Sequence, residues 1–306
     1  MTNGNFKVFP CSTHKNFLKA LDPHESPWSA IRFQPIGWIF RGQPVDAPLV
    51  PKALRRKADG KYECHSIERT CRYVRRWFPN GTDEEIQVGA EYDLLRGFIR
   101  AADEQGFQLP DVSMKRLNIL LSPDQRKKAI SRYKLWPEPK HWELLALAQH
   151  FGLPTRLLDW SKHPRIAAYF AVREIADPTF KHRDDLERGI VVWALNTRPY
   201  VRNNKRIKII QPPMGWNPNL STQRGVLTAL RAPNGDGLES AVENETLIKI
   251  VLKPDDPKTL TTEASETLYR LFEEGIHAAS MFRNLTGAAQ YPEERRLYPD
   301  NAKFMK

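Results

Sequence analysis

The residue best placed for chemistry is Arg41, near the end of the apolar run IGWIFRGQ over residues 36–43. The run has the apolar and aromatic character of a β-strand, so the arginine would lie at the rim of a sheet. There a guanidinium could bind a pyrophosphate through two parallel hydrogen bonds. An ordinary arginine at a strand end, paired with Asp46 or exposed to solvent, would explain the same residue equally well.

A second group of such side chains lies in RLLDWS, residues 156–161. Arg156, Asp159 and Trp160 share a short predicted strand, and Ser161 is the predicted N-cap of the next helix. A cation, a carboxylate, a stacking surface and helix N-terminal N–H groups would then lie together and favour an anionic ligand. The structural alternative is that Asp159 pairs with Arg156 and that Trp160 fills the core.

Several further elements must hold these segments in place. Residues 141–152 (HWELLALAQHFG) have the apolar spacing of a helix that ends on Gly152, and His150 near its end is more simply a structural residue than a base. Other predicted elements are strands over 189–196, 224–230 and 246–252 and helices over 63–78, 83–104 and 262–274. Because few helices link successive strands, the pattern predicts an α+β fold with a mixed, mainly antiparallel central sheet and peripheral helices.

Positive charge is the main bias of the composition. The 306 residues carry 47 basic and 36 acidic side chains, a net charge of +11, which favours a polyanionic partner. Basic residues concentrate in 52–76, 115–140 and 198–208, although each run could also be a solvated face. Together the runs predict a surface for RNA or single-stranded DNA, with Arg198, Arg202, Lys205, Arg206 and Lys208 among its residues.

Other classes of protein are disfavoured by features that the sequence lacks. No apolar run approaches the ~18–20 residues of a membrane helix, and no secretory signal is visible, so we expect a cytoplasmic protein outside membranes. The phosphate-loop, nucleophile-elbow, zinc-helix and dinucleotide-fingerprint motifs are absent. Three cysteines without paired Cys/His spacing give no reason to expect a metal.

Six segments of the sequence resemble the FRG domain family, named for its Phe-Arg-Gly motif. They are IFRGQ (39–43), LVPKALRR (49–56), LLALAQHFGLPTRLLDWSKHPRIAAYFAV (144–172), GIVVWALN (189–196), QRGVLTAL (223–230) and LFEEGIHAASMFRNLTGAA (271–289). The resemblance implies an FRG-like domain over 31–290 with a basic helical insertion at about 60–140, an N-terminal extension (1–30) and a C-terminal tail (291–306). It also implies a toxin or phage-defence setting, in which an inhibitory antitoxin protein would be a partner.

A more distant resemblance is to the ADP-ribosyltransferases. A first strand with an arginine near its end, a second strand that leads through serine into SxxxxIAAYFA, and later strands follow in the same order. This resemblance implies an ADP-ribosyltransferase-like core with NAD as co-substrate, Arg41 on its phosphates or ribose and Ser161 on its ribose. The implied NAD-binding residues are Arg41, Gly42, Gln43, His150, Arg156, Trp160, Ser161 and Tyr169.

The catalytic glutamate of that family is the point of departure. Its Glu-x-Glu motif resembles Gln223-Arg224-Gly225, and a glutamine cannot offer a negative charge to an oxocarbenium-like transition state. Asp159, Glu243 or Glu245 would have to supply that charge, or the fold binds NAD without transfer. The implied catalytic set is Arg41, Asp159 and Gln223.

Three functions are therefore open. The first is an NAD-dependent ADP-ribosyltransferase that modifies RNA or single-stranded DNA. The alternative is a non-catalytic module that binds and senses nucleic acid or a nucleotide derivative. A metal-dependent nuclease would need clustered carboxylates, which the sequence does not show.

Overall fold

The computed structural model of this chain describes residues 6–22, 25, 37–110, 113–180, 183–202, 206–213, 215, 218–231, 237–243 and 246–299. Within these ranges a seven-stranded, mostly antiparallel sheet is surrounded by helices. The predicted α+β class and the mainly antiparallel sheet are therefore confirmed.

The sheet has one parallel pair at its edge. Its strands are β1 (Phe6–Cys11), β2 (Trp38–Gln43), β3 (Leu157–Ser161), β4 (Ile190–Asn196), β5 (Ile207–Ile210), β6 (Gly225–Leu230) and β7 (Leu247–Leu252). Their spatial order is β1-β7-β4-β2-β3-β6-β5. β1 and β7 are parallel, and all other neighbours are antiparallel.

Two of these strands, β1 and β5, were not predicted. β1 contains Pro10, which weakens a strand pattern but is tolerated on an edge strand, where β1 lies. β5 is short and lies in a basic run. The five predicted strands begin and end within two residues of the observed bounds. β1 falls in the range predicted as an N-terminal extension, and the division into extension, domain and tail stays a prediction.

The described helices flank the sheet and form a separate helical layer. They are α1 (His14–Ala20), α2 (His65–Trp77), α3 (Asp83–Glu104), α4 (Met114–Leu121), α5 (Pro123–Ser131), α6 (Trp142–His150), α7 (Pro164–Val172), α8 (Arg198–Arg202), α9 (Pro218–Thr222), α10 (Leu260–Glu273), α11 (Ala278–Met281) and α12 (Leu285–Arg295). Short 3-10 helices cover Tyr133–Leu135, Pro139–His141, Arg183–Arg188, Leu238–Ser240 and Pro257–Thr259. The helices α2, α3, α6, α7 and α10 match predicted segments.

The start of α7 differs from the prediction. Ser161 is the last residue of β3, whereas α7 begins at Pro164 and has His163 as its N-cap. Proline suits the first helical position because its missing N–H would have no partner there. Ser161 still contributes a local bond, because its Oγ accepts from the main-chain N–H of His163 at 3.0 Å.

The glycine of the Phe-Arg-Gly motif lets α7 lie directly on β2. A Cβ added at Gly42 would come within 1.9 Å of the main-chain oxygen of Ala167 and 2.8 Å of the main-chain nitrogen of Ala171. Both residues belong to α7, so any side chain at position 42 would force the helix away from the sheet. Gly42 therefore sets the spacing between β2 and α7. Both elements border the cavity described below.

The turn after α6 confirms the predicted helix end. Gly152 has φ +92, its N–H donates to the main-chain oxygen of Gln149 at 2.9 Å, and the N–H of Leu153 donates to that of Ala148 at 2.9 Å. This pair of bonds is a Schellman motif, which satisfies the last carbonyls of a helix. The motif turns the chain from α6 into β3 within six residues.

A buried ion pair fixes the helical layer to the sheet. Arg156, just before β3, donates from Nε and Nη2 to the Glu91 carboxylate of α3 at 2.7 and 2.6 Å. Trp136 Nε1 and Gln87 Nε2 each add a hydrogen bond to Glu91 at 2.9 Å. Both charges are almost inaccessible, with side-chain exposures of 0% and 1%. The position of β3 thus depends on a helix 65 residues earlier in the chain.

Candidate functional site

A cavity of about 520 Å³ lies where β2, β3 and α6 meet. Small-molecule sites typically occupy ~300–1,000 Å³, so this one could hold a nucleotide-sized ligand. Seven of the predicted site residues contribute to its lining: Arg41, Gly42, His150, Asp159, Trp160, Ser161 and Gln223. The structure therefore brings together most of a set that the sequence distributes over more than 180 residues.

The cavity begins where the ladder between β2 and β3 stops. The two strands pair only at Phe40 and Ser161, and just past this pair Arg41 Nη1 donates to the main-chain oxygen of Asp159 at 2.8 Å. The Nε of Arg41 is buried and has no hydrogen-bond partner among the described residues. Burial lowers the pKa of this guanidinium; the Asp159 charge opposes the shift and the nearby Arg55 adds to it. A spare buried donor beside a second cation suits an anionic ligand.

The predicted pairing of Arg41 with Asp46 is absent. Asp46, its predicted ion-pair partner, instead accepts from Lys249 Nζ at 2.5 Å. Arg41 forms no ion pair within the described part of the chain, and its one hydrogen bond goes to a main-chain oxygen. Its charge is therefore not neutralised by a bonded carboxylate.

A chain of polar side chains orients the Asp159 carboxylate. Gln149 Nε2 donates to Asp159 Oδ1 at 2.8 Å, and Thr155 Oγ1 donates to Oε1 of the same glutamine. Because the threonine hydroxyl occupies Oε1, the amide must present its NH₂ group to the carboxylate. The turn at Gly152 makes this chain possible by placing the end of α6 beside the start of β3. The predicted pairing of Asp159 with Arg156 is absent, since Arg156 binds Glu91.

Ser161 and Gln223 line the cavity with groups that already have main-chain partners. Ser161 Oγ donates to the main-chain oxygen of Gln223 at 2.7 Å, and Gln223 Nε2 donates to that of Met281 at 3.3 Å. The next residue, Arg224, has φ +48, the one positive φ outside glycine among the described residues. Such backbone strain clusters at functional sites. The segment before β6 is thus held against the cavity in a specific conformation.

Aromatic rings form part of the wall and rim. Phe170 of α7 and Phe282 line the cavity and meet edge to face, with ring centroids 6.2 Å apart. At the rim, His150 packs edge to face against Phe151, whose side chain is 69% exposed. Phe170 and Phe282 thus form an apolar surface within the cavity, and Phe151 forms one on the protein surface beside its rim.

Trp160 has a more structural role than predicted. It contributes to the lining, yet its side chain is almost wholly buried and packs in the same core cluster as Leu158. Its Nε1–H donates to Thr228 Oγ1 on β6 at 2.9 Å. Of the two predictions for Trp160, the structure supports the one in which its side chain fills the core. The buried indole ring has no exposed face on which a ligand could stack.

The structure places three predicted residues outside the cavity lining. Arg156 is bound to Glu91, and Gln43 Oε1 accepts from Trp193 Nε1 at 2.7 Å. Tyr169 faces the helices on the far side of α7, where its hydroxyl donates to the buried Glu294 at 2.6 Å. In a strand, alternate side chains point to opposite faces, so Arg156 and Asp159 diverge although they are close in sequence.

One cavity residue that the sequence analysis overlooked is Glu143. Residues 143, 146, 147 and 150 of α6 all line the cavity, and this i, i+3, i+4, i+7 spacing is one face of a helix. The Glu143 carboxylate makes no hydrogen bond or ion pair with any described residue. The available signal was the spacing of Glu143 and His150, which are seven residues apart and therefore share one face of the helix.

The other predicted acids do not reach this site. Glu243 is exposed and absent from the lining; its main-chain N–H donates to the Tyr200 hydroxyl at 2.7 Å. Glu245 lies outside the described residues. Asp159 and Glu143 are thus the carboxylates that the described lining contains.

The predicted basic surface is only partly described. Lys205 and the side chain of Arg202 lie outside the described residues, and Arg198 is the first residue of α8. Arg206 Nη1 donates to the main-chain oxygen of Ser240 at 3.1 Å, and Lys208 lies in β5. Arg198, Arg206 and Lys208 are absent from the described lining of the cavity.

Comparison with protein-family models gives a match over part of the chain. Residues 37–179, slightly less than half of the sequence, are similar to the model of the FRG domain. This range contains Arg41 and the α6–β3 segment, but Gln223 lies beyond it. The curated proteins contain no match, and neither do the solved structures.

Membrane-spanning helices and metal-ligand clusters are absent from the described residues. No helix there is both long and apolar enough to cross a membrane. Nor do three or more His, Cys, Asp or Glu side chains of that part group as they would around a metal ion.

Proposed function

We propose that the cavity binds NAD and transfers its ADP-ribosyl group to a nucleic-acid acceptor. The proposal rests on the Arg41 guanidinium, whose buried Nε lacks a described partner, lying beside the oriented carboxylate of Asp159. A dinucleotide needs a cation for its pyrophosphate, and cleavage of its nicotinamide–ribose bond needs negative charge near the sugar. Both charges line one cavity of suitable volume.

Each lining residue can be given a part. Arg41 would hold the pyrophosphate through its unpartnered donor, with Arg55 adding positive charge nearby. Phe170 and Phe282 provide an apolar wall for an aromatic ring. Ser161 is a positioning residue in this scheme. Its hydroxyl donates to the main-chain oxygen of Gln223 and so holds that segment in place, and it would not donate to the ligand.

The two carboxylates would divide the chemistry of transfer. NAD supplies a nicotinamide–ribose bond that breaks with its electron pair leaving on the nicotinamide nitrogen, so positive charge develops on the ribose. Asp159 faces that charge with its orientation already set by Gln149, which avoids reorganisation during the reaction. Glu143 would accept the proton of the acceptor atom as that atom bonds to the ribose carbon, and would later release it to water.

The test is transfer of label from ³²P-NAD to separate pools of RNA, single-stranded DNA and protein. We expect label in a nucleic-acid pool and a loss of at least roughly tenfold for Asp159→Asn and for Glu143→Gln. Glu243→Gln is the matched control, since it removes an exposed carboxylate outside the lining. Thermal melts run alongside separate loss of activity from loss of fold. Undiminished transfer by both cavity variants, or none by the wild type, would refute the proposal.

One observation favours the non-catalytic alternative. The two positions to which the family resemblance gives active roles, Ser161 and Gln223, have their side chains bonded to main-chain oxygens. A cavity with these groups already engaged could bind NAD or ADP-ribose and signal through the strained segment at Arg224. Calorimetric binding of both ligands without turnover would identify this function.

The wider setting stays predicted. Action as a toxin or phage-defence effector, control by an antitoxin protein and a cytoplasmic location all follow from the sequence analysis alone. They become testable once a labelled acceptor is known.

A further inference from the structure

Five basic side chains from separate segments surround the short stretch Pro137–Lys140. We call this group the Glu138 patch, after the carboxylate at its centre; its cations are Arg116, Arg132, Lys140, Lys208 and Arg231. They come from α4, the end of α5, the 3-10 helix before α6, β5 and the end of β6.

Two of these cations share the Glu138 carboxylate. Arg132 Nη1 lies 3.3 Å from Oε1 and Lys140 Nζ lies 3.6 Å from Oε2. Glu138 is mostly buried, whereas Arg132 and Lys140 are 53% and 44% exposed. The carboxylate thus anchors the two cations from below and leaves their outer surfaces to solvent.

Two further arginines bind the main chain of the same stretch. Arg116 Nη2 donates to the oxygen of Lys140 at 2.7 Å, and Arg231 Nη2 makes a long bond of 3.4 Å to the oxygen of Pro137. Arg231 Nε is buried and has no hydrogen-bond partner among the described residues. Its main-chain N–H also donates to the oxygen of Arg206, which ties it to the start of β5 at the open edge of the sheet.

Positive charge exceeds negative charge among the described residues of the patch. Burial lowers the pKa of Lys208, and the nearby positive charge of Arg231 lowers it further. Arg132, Lys140, Lys208 and Arg231 carry four positive charges, and Glu138 is the one carboxylate of the described residues that pairs with any of them, which leaves three. Such concentration costs folding free energy, and a polyanion would relieve the repulsion.

The patch also adjoins the cavity through two short segments. From Lys208 the chain reaches Pro212 in the cavity wall in four residues, about 13 Å at the rise of a strand. From Lys140 it reaches Glu143 in three residues, about 5 Å along a helix axis. A ligand lying across the patch could extend one end into the cavity.

We propose that the Glu138 patch binds the phosphate backbone of a single-stranded nucleic acid and leads it to the cavity. The proposal rests on the proposed function for the acceptor's purpose, but binding itself requires no catalysis. A single strand is favoured because a cavity of about 520 Å³, which in the proposed function also holds NAD, is too small to admit a duplex. This surface joins the 115–140 and 198–208 basic runs, and it includes Arg231, which belongs to neither.

The experiment is fluorescence anisotropy with a labelled 20-nucleotide oligo(U), its DNA counterpart and a duplex, at several salt concentrations. Arg132→Glu/Lys140→Glu is compared with Lys19→Glu/Arg296→Glu. The control pair removes the same charge from exposed sites outside the three basic runs, at 65% and 75% exposure, and each residue is also in a single ion pair, at 3.5 and 3.1 Å. Both variants avoid the buried Arg231 and the cavity.

We expect the patch variant to bind a single strand at least about tenfold more weakly than the wild type, and the control to bind within about twofold. The slope d log K/d log[salt] is negative, and loss of two phosphate contacts should reduce its magnitude by about 1.4. Equal weakening by both variants would overturn the proposal in favour of general charge attraction. Tighter binding of the duplex, or equal competition by polyglutamate, would also overturn it, the latter in favour of an acidic protein. Failure of ADP-ribosyl transfer with intact, patch-dependent binding would refute only the proposed function.

Discussion

Two arginines make contacts at β3: Arg156 binds Glu91, and Arg41 binds Asp159. The two contacts differ in how completely the arginine's hydrogen bonds are satisfied. Arg156 and Glu91 form a two-point ion pair in which both residues are inaccessible and further donors from Trp136 and Gln87 complete the carboxylate's bonds. Arg41, by contrast, bonds only the main chain of Asp159 and leaves its buried Nε unpartnered among the described residues.

The difference indicates which pair serves the fold and which serves a ligand. A buried charge whose bonds are all made has nothing left to offer a ligand, and breaking it leaves its partner uncompensated. A charge held at a cavity with spare donors costs stability unless a ligand completes it. The comparison therefore predicts that variants of the first pair lose stability, whereas variants of the second lose binding and activity.

The largest expected effect is that of Glu91→Gln. The substitution leaves the Arg156 cation buried without a counter-charge, so we expect a loss of about 3–5 kcal/mol in the free energy of unfolding. Urea denaturation followed by circular dichroism measures it. Glu293→Gln is the control because it breaks an exposed pair with Arg296, and it should change stability by no more than about 0.5 kcal/mol. Equal stability of the two variants would contradict the structural role of Glu91.

A smaller free-energy change, of a different kind, is expected for Arg41→Lys. Lysine keeps the charge but lacks the planar set of donors, so kcat/KM for NAD should fall on the order of 10²-fold, about 2.7 kcal/mol. The melting temperature should stay close to that of the wild type, because the one bond lost is at the rim of the sheet. Arg156→Lys should show the reverse pattern. Full activity of a folded Arg41→Lys protein would remove Arg41 from the site.

Much of the fold and part of the site could be predicted from the sequence. Alternating apolar strands and the helix that ends at Gly152 carry local signals, so their bounds were predicted within two residues. Arg41, Asp159 and His150 were placed at one site from residue type and motif order. Thr155, Gln149 and Asp159 all lie in the same sequence motif. Their side-chain hydrogen bonds could not be predicted, because they form only when the Schellman turn brings the end of α6 beside β3.

The remaining features depend on contacts between distant segments. Arg156 was grouped with Asp159 because the two are neighbours in sequence, but its partner Glu91 lies 65 residues away on α3. The Glu138 patch likewise forms from α4, β5 and β6, and no single basic run contains it. Propensity and spacing describe neighbours along the chain, whereas charge pairing here is decided by how the helical layer packs on the sheet.

The most gradual effect expected is a pH dependence that arises in the same helical layer as Glu91. His141 packs against Trp136, a donor to Glu91, and against Tyr92, with ring centroids 4.9 and 5.6 Å apart. Burial, aided by the charges of Lys140 and Arg116, lowers the pKa of His141 to about 3. The unfolded chain binds a proton at His141 near pH 6.5 while the folded protein does not. Stability is therefore lost as pH falls from about 6.5 towards 3, by up to about 1.4 kcal/mol per pH unit from this group.

The difference between wild type and His141→Phe isolates that contribution. Phenylalanine keeps an aromatic ring against Tyr92 and Trp136 but cannot titrate, and other acids, including the Glu91 pair, affect both proteins alike. We expect the stability advantage of the variant to grow as the pH falls between 6.5 and 4.5, measured by urea denaturation at each pH. Parallel stability curves for the two proteins would mean that His141 accepts its proton in the folded state, and that this part of the helical layer is less closed than the Arg156–Glu91 pair beside it.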